Sequence, residues 1–327
     1  MTAGVAAAEV TFSGTANFGY NDTDATTGAS VGAAFSDIDL NIAFSQELNN
    51  GYTAAASFEF DVAKADQGAS FNASDAVISL TNADSGIHYG DTKHGAENAW
   101  SAVGSMENDA FRVADGEMVT RADMTFGGAK IGISLGDDTN YTVTAASGTT
   151  PAVKGTEKDY ISLGITGTAG SFSYALAHQN ANTAWLDGDD NSAKSQQATT
   201  GVRVSTTLGG ATVALGYAKN DDGGSTGIEV SYPMGALTTT ASYVQEGAAS
   251  AENNWDVKVA YAEGALGVTV ATDESQDWNV DVSYDMGNGM NLFVGADDGG
   301  KDTYAGVSYD LGGGASLLAS YANDSNN

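Results

Sequence analysis

The sequence predicts an all-β protein, specifically a transmembrane, antiparallel, up-and-down β-barrel of 16 or more strands. Three observations predict it. Polar and apolar residues alternate along most of the chain, short and long connections alternate between the strands, and the chain is acidic yet poor in charged residues. The 327 residues include 12 Lys and Arg against 42 Asp and Glu, a formal charge of −30, and only 17% are charged, against roughly 25% in soluble domains. This balance excludes a nucleic-acid partner, which needs clustered cations.

Alternation with a period of two is the strongest local signal. Residues 37–44, 54–61, 255–261 and 278–286 each place apolar side chains on one face and polar ones on the other, as strands do. We count 19 such segments, the first starting at residue 9 and the last ending at residue 321. Because bacterial single-chain barrels have an even number of strands, we expect a clipped closing strand.

The connections carry as much information as the strands. One set is three or four residues long and mostly contains Gly, as at 49–51, 127–130 and 208–210, whereas the alternate set is longer and more polar. In an up-and-down meander, all short turns then lie at one end and all long loops at the other. Since no linker or break in composition interrupts residues 9–327, we expect one barrel domain.

The composition of the two faces favours a membrane barrel over a soluble one. The polar face carries Asp, Asn, Ser, Thr, Gly and Ala, which suit a wet interior, and the apolar face is almost free of charge. Aromatic residues cluster near both ends of the strands, as in the girdles of outer-membrane barrels. No segment approaches the ~18 consecutive apolar residues of a membrane-spanning helix.

The N-terminal residues indicate export. Residues 1–8 are small and apolar, and Ala6-Ala7-Ala8 fits the A-x-A pattern of signal peptidase sites. We interpret them as the remnant of a secretory signal peptide, the alternative being an ordinary alanine-rich N-terminus.

Two segments resemble a known family. Residues 3–14 (Ala-Gly-Val-Ala-Ala-Ala-Glu-Val-Thr-Phe-Ser-Gly) and 89–100 (Tyr-Gly-Asp-Thr-Lys-His-Gly-Ala-Glu-Asn-Ala-Trp) resemble the general diffusion porins of alphaproteobacteria, the Rhodobacter type. The resemblance implies a homotrimer of water-filled, commonly 16-stranded barrels in the outer membrane of a Gram-negative bacterium. Its surroundings would be membrane lipid and lipopolysaccharide, and small hydrophilic solutes and ions would diffuse through it. The strand count above 16 and the missing C-terminal aromatic at Asn327 depart from the family.

The longest connection, residues 92–120, occupies the position of the loop that folds into the channel in that family. Its apolar residues Trp100, Val103, Met106 and Phe111 could pack against a wall, and long structureless loops are usually functional. A solvated external loop is the alternative. We expect its carboxylates to line the constriction, namely Glu97, Glu107, Asp109, Asp115 and Glu117.

The expected pore lining extends beyond the loop's carboxylates. It comprises the cations Arg112, Arg121, Arg203 and Lys258 and the carboxylates Asp37, Asp39, Glu59 and Asp61. Carboxylates between low-dielectric walls attract cations. The sequence therefore predicts a cation-preferring channel.

Other functions find little support. The only histidines, His88, His94 and His178, show no ligand or catalytic spacing, and Cys is absent, so we expect no enzyme. A calcium site at Asp187, Asp189 and Asp190 is the one cofactor left open. The main alternative is a secreted, acidic, calcium-binding β-rich surface protein or adhesin, although its short repeats are missing. A narrower alternative is a substrate-specific channel, which would need an aromatic or binding cluster that the sequence does not reveal.

Overall fold

A computed structural model describes residues 9–21, 33–64, 68–114, 118–136, 142–144, 153–154, 160–186, 193–247 and 252–323. The proposed signal remnant at residues 1–8 lies outside this part of the chain. The described part is almost entirely β-structure, with a short helix α1 (Gly95–Ala99) and a 3₁₀ turn (Asp298–Gly300). Within it, no helix combines the length and apolar character needed to cross a bilayer.

The strands follow the alternating segments predicted from the sequence. The described residues contain β1 (Glu9–Asn21), β2 (Ala33–Glu47), β3 (Thr53–Lys64), β4 (Gly68–Thr81), β5 (Ser85–Gly90), β6 (Val119–Phe126), β7 (Ala129–Gly136), β8 (Thr142–Thr144), β9 (Val153–Lys154), β10 (Tyr160–Ala169), β11 (Phe172–Gln179), β12 (Asn182–Leu186), β13 (Ala193–Gln196), β14 (Thr199–Leu208), β15 (Ala211–Lys219), β16 (Gly224–Met234), β17 (Leu237–Glu246), β18 (Asn254–Glu263), β19 (Leu266–Asp273), β20 (Trp278–Gly287), β21 (Met290–Asp297), β22 (Asp302–Gly312) and β23 (Ala315–Asn323).

Nineteen of these strands form one sheet, while β8 with β9 and β12 with β13 form two separate ladders. Strands that are consecutive in the sheet pair antiparallel, from β1 through β7 to β10 and from β15 to β23. The predicted count of 19 segments is therefore confirmed for the described chain.

Glycine pairs form two of the two-residue turns between neighbouring strands. Gly127 and Gly128 have φ of 59° and 85°, and Gly209 and Gly210 have φ of 58° and 88°. Two successive residues at positive φ form the hairpin turn whose twist matches that of the flanking strands. This conformation explains why glycine dominates the short connections.

The described residues form two compact units. Unit 1 comprises those within Met1–Trp100, Ala110–Thr168 and Ala175–Gly201, and unit 2 comprises those within Ser101–Asp109, Ala169–Tyr174 and Val202–Asn327. Unit 1 thus contains β1–β7, β10 and α1, and unit 2 contains β15–β23. Each contains part of the long connection that follows β5, so each is described separately below.

The apolar face of the strands is uncovered. Phe126 in unit 1 and Tyr321 in unit 2 are 74% and 70% exposed, and Trp278 and Tyr284 are exposed as well. Fully buried side chains in the described chain are instead often polar, such as Ser134, Ser162, Gln179 and Ser225. Apolar side chains therefore point away from the protein, and polar ones lie beneath the long connection, as the sequence predicts for a membrane barrel.

Candidate functional site

The first part of the long connection is bound to the polar face of unit 1. The backbone N–H of Gly95 donates to Ser134 Oγ (2.9 Å), and that of Ala96 donates to Ser162 Oγ (2.7 Å). These are the first N–H groups of α1, which have no partner within the helix. Serines on β7 and β10 therefore hold the start of α1 against the sheet.

Two strand glycines allow this close contact. A Cβ at Gly164 would lie 1.9 Å from the Gly95 carbonyl oxygen, and one at Gly201 would lie 2.4 Å from the Trp100 ring. Any side chain at either position would displace the loop. The contact therefore requires glycine in β10 and β14.

The returning part of the connection is held by Gln179, which is fully buried. Its Oε1 accepts from the Arg112 backbone N–H (2.8 Å) and the Tyr160 hydroxyl (2.6 Å), and its Nε2 donates to the Ala110 carbonyl (3.3 Å). The Arg112 guanidinium lies 4.8 Å from the Tyr160 ring centroid, a cation–π contact. Arg112 is 2% exposed, so its charge lies against the wall.

Glu97 joins the two arms of the connection in unit 1. Its Oε2 accepts from the backbone N–H groups of His94 and Ala114, both at 3.1 Å. The side chain is 11% exposed, and Lys93 lies 3.9 Å away. This carboxylate stabilises the loop's own conformation and is largely withdrawn from solvent.

The tip of the connection, residues 101–109, is bound within unit 2 by Glu246, which is 7% exposed. Glu246 accepts from the Glu107 backbone N–H (3.1 Å), Asn108 Nδ2 (2.8 Å) and the Ser225 hydroxyl (2.5 Å). Asn254 Nδ2 also donates to the Ser105 carbonyl (2.7 Å). Polar residues near the strand ends therefore hold the tip.

Glycines again allow close approach in unit 2. A Cβ at Gly227 would lie 2.5 Å from the Val103 carbonyl oxygen, and one at Gly216 would lie 2.8 Å from the Val103 and Met106 side chains. Val103 is fully buried and Met106 nearly so. These contacts show that apolar side chains of the loop pack against the sheet, as predicted.

The strand register connects the loop-bearing face of unit 1 to the predicted pore-lining carboxylates. Ser134 lies opposite both Ser162 and Arg121, and Arg121 lies opposite His88. Directly opposite residues share a face. Followed through β4, β3 and β2, this face carries Asp37, Asp39, Glu59 and Asp61.

The predicted cations differ in their surroundings. Arg121 is buried; its Nε donates to Asp123 (3.0 Å) and its Nη1 donates to the Lys93 carbonyl (2.6 Å), so it supports the base of the loop. Lys258 is exposed and, being opposite Thr240, shares the face of Ser242 that contacts the loop tip. Arg203 is half-buried in β14.

The loop carboxylates also differ. The Glu107 residue is exposed and Asp109 is half-buried. Asp115 and Glu117 lie outside the described residues, as do Asp187, Asp189 and Asp190 of the predicted calcium site. Within the described chain, no group of three or more His, Asp or Glu side chains could hold a metal ion.

A polar cavity of about 450 Å³ adjoins α1 in unit 1. His88 Nε2 lies 3.2 Å from Asp123 Oδ2 at its wall, and Asn98 and Lys130 contribute to its lining. Its size and polarity allow water and small ions to reach the helix.

The residues that hold the loop, above all Ser134, Ser162, Gln179 and Glu246, are not distinguished in the sequence. Each occupies an ordinary polar position of an alternating strand. Gln179 and Glu246 are the last residues of β11 and β17, and that position next to a long connection is the only signal that could have singled them out.

Comparison with known proteins agrees with this architecture. A solved triple mutant of the Rhodopseudomonas blastica porin is similar with a TM-score of 0.54 and 15% identity, covering 84% of this chain and 98% of that chain. A second mutant of that porin is similar with a TM-score of 0.52 and 14% identity, covering 96% and 100%. No curated protein sequence matches the chain. These likenesses show a porin β-barrel fold.

The family comparison spans the whole sequence. The model of the Gram-negative porin family matches residues 1–327, in agreement with the 19-stranded up-and-down sheet and the porin fold of the similar structures. The chain therefore belongs to the Gram-negative porin family and is an outer-membrane channel protein.

Proposed function

We propose that this porin passes small hydrophilic solutes and ions by passive diffusion, that it prefers cations, and that residues 92–114 narrow its passage. The observation that carries the proposal is the attachment of this connection to the polar face of both units. In outer-membrane barrels the polar face lines the water-filled interior. A segment bound to that face reduces the space available to solutes.

The charges of the described polar face support the cation preference. Asp37, Asp39, Glu59 and Asp61 share the loop-bearing face of unit 1, and Glu107 is exposed at the loop tip in unit 2. The cations Arg112 and Arg121 are instead buried. The four carboxylates of unit 1 are half-buried and so less covered than these two arginines, and in a narrow passage their field favours cations.

Reversal potentials in planar bilayers under a KCl gradient test the proposal. We expect the wild-type protein to favour K⁺ over Cl⁻. Glu107→Gln with Asp109→Asn should lower the permeability ratio toward unity, and adding Asp115→Asn and Glu117→Gln should lower it further. These changes remove negative charge from the loop while preserving side-chain shape.

Asp221→Asn with Asp222→Asn in the exposed connection after β15 is the matched control, because it removes the same two charges from exposed residues outside the loop. It should leave the reversal potential unchanged. Anion preference in the wild-type protein, or an equal shift in the control, would refute the assignment of selectivity to the loop.

Several further features remain proposals. A homotrimer is expected from the resemblance to porins, and cross-linking of the detergent-extracted protein would test it. Three other features are likewise proposals: contact with lipopolysaccharide, a signal remnant at residues 1–8 and a calcium site at residues 187–190. Binding of ⁴⁵Ca²⁺ would test the calcium site. Because the chain belongs to the porin family, we set aside the alternative of a secreted adhesin. We also expect no enzymatic activity, since the family and fold are those of a channel.

A further inference from the structure

Two aromatic side chains lie on the polar face of unit 2, where small and hydrophilic residues otherwise predominate. The face that contacts the loop tip at Ser242 continues through Asp256 and Asp273 to β19. It then reaches Asp281, which lies opposite Thr269 on β19 and Gly295 on β21, and finally Tyr304, which lies opposite Gly295. Phe293 is two residues before Gly295 and therefore shares this face.

Each of the two rings covers a glycine of the neighbouring strand. A Cβ at Gly295 would lie 2.3 Å from the Tyr304 ring, and one at Gly306 would lie 2.3 Å from the Phe293 ring. The ring centroids are 6.3 Å apart, with an angle of 46° between the planes. Both residues are half-buried, so one face of each ring lies on the sheet and the rest is accessible from the channel side.

Carboxylates lie beside Tyr304 and at the ends of its strand and the neighbouring one. The Tyr304 hydroxyl donates to Asp281, which positions that carboxylate beside the ring. Asp297 lies directly opposite Asp302 at the adjoining strand ends, although like charges at opposite positions destabilise a sheet. The strands β20, β21 and β22 contain no Lys or Arg, and the nearby Lys301 pairs with Asp298.

We infer that Phe293, Tyr304 and Asp281 form a binding site for small organic cations, of the type of an alkylammonium ion, with Asp297 and Asp302 adding negative charge further along the same strands. The rings attract a cation through their π faces and contact its methyl groups, and the carboxylates balance its charge. This inference deepens the proposed function, on which it rests, by naming a class of solute that the channel retains during passage.

Choline tests the site, since it is a quaternary ammonium ion of suitable size, and 3,3-dimethyl-1-butanol is its uncharged analogue. We expect choline to reduce the K⁺ current through single channels in a saturable manner, whereas the alcohol does not. Phe293→Leu should raise the half-saturating choline concentration about fivefold, the ratio expected for losing one cation–π contact. Asp281→Asn should raise it as well.

Phe126→Leu serves as the control, because Phe126 belongs to the uncovered apolar face and its replacement should leave the choline response unchanged. Saturation-transfer NMR of choline with the detergent-solubilised protein reports binding independently of conduction, and circular dichroism verifies the folding of each variant.

The outcomes separate the two proposals. A cation-preferring channel whose choline response is unsaturable, or is the same in Phe293→Leu, overturns the site and leaves the proposed function intact. Equal binding of the uncharged alcohol also overturns it, since an apolar patch would then suffice. Absence of conductance or of cation preference counts against the proposed function, and the NMR measurement still decides whether choline binds at Phe293.

Discussion

The two units bind the same connection with different chemistry. Unit 1 uses mainly neutral groups, the hydroxyls of Ser134 and Ser162 and the amide of Gln179, together with the Arg121 guanidinium at the base of the loop. Unit 2 binds the tip with one carboxylate, Glu246, which accepts two of its hydrogen bonds, and with the neutral side chains of Ser225 and Asn254. In both units, strand glycines allow the loop to approach the sheet backbone. Close approach is therefore the common requirement, and the polar groups that complete it are interchangeable.

The difference in charge has an energetic consequence. A neutral hydrogen bond contributes about 0.5–1.5 kcal/mol, whereas one to a charged group contributes about 1.5–3 kcal/mol. In unit 1 the attachment is spread over several weak contacts along residues 95–112. In unit 2 the Glu246 carboxylate accepts two of the tip's hydrogen bonds, beside those made by Ser225 and Asn254, so the tip is more sensitive to the loss of that one side chain.

The largest expected effect comes from filling the glycine contacts. Gly164→Ala would place a Cβ 1.9 Å from the Gly95 carbonyl oxygen, and Gly227→Ala would place one 2.5 Å from that of Val103. Since both neighbours are backbone, the loop must move, at a cost of about 1–3 kcal/mol. Amide hydrogen exchange at residue 112, whose N–H is bound to Gln179 in the wild-type protein, should then be faster in Gly164→Ala than in Gly227→Ala.

Gly136→Ala is the matched control, because its Cβ would lie 3.5 Å or more from Tyr160 and His94, an ordinary contact. Amide hydrogen exchange at residue 112 should match the wild-type rate in this variant. If all three alanine variants behaved alike, close backbone approach would not be what seats the loop.

A smaller effect distinguishes the two anchors. Glu246→Ala leaves the Glu107 N–H without its acceptor and removes one of the two acceptors of Asn108 Nδ2, and the loss of these two charge-assisted bonds should cost about 2–3 kcal/mol. Gln179→Ala should cost about 1–1.5 kcal/mol, because Thr199 Oγ1 and Gln196 Nε2 also donate to the Ala110 carbonyl. Amide hydrogen exchange should therefore rise by about 30- to 100-fold at residue 107 in the first variant and by about tenfold at residue 112 in the second.

The conservative variant Glu246→Gln sharpens this comparison, since it retains one acceptor oxygen and should give an intermediate rate at residue 107. Equal acceleration in Glu246→Ala and Gln179→Ala would show that charge does not distinguish the two units.

The sheet could be predicted from sequence because its signals are local. Alternation marks each strand, and glycine at positive φ marks most of the short turns, so the 19 segments and the outward apolar face were accessible without a structure. The loop's apolar residues likewise indicated packing against a wall, and Val103 and Met106 are buried.

The partners within the site could not be predicted, since they depend on contacts between residues distant in sequence. In the sequence, Gly164 and Gly227 look like positions that merely weaken a strand. Only the structure shows that the loop backbone lies in contact with them. Charge alone assigns Glu97 and Arg121 to the pore lining, yet the structure shows Glu97 accepting from the loop backbone and Arg121 donating to the Lys93 carbonyl. The sequence position of a charged residue does not indicate whether its side chain is hydrogen-bonded to the protein backbone.

Glu97→Gln gives the smallest expected effect and tests this last distinction. The amide retains an oxygen that can accept from His94 and Ala114, and the exposed Lys93 pair contributes little, so loop stability should fall by less than about 1 kcal/mol. Because the Glu97 side chain is only 11% exposed, the K⁺/Cl⁻ permeability ratio should stay near the wild-type value. Glu107→Gln removes the same charge from an exposed residue and should lower that ratio. A larger selectivity change in Glu97→Gln than in Glu107→Gln would mean that a backbone-bound carboxylate still acts on passing ions.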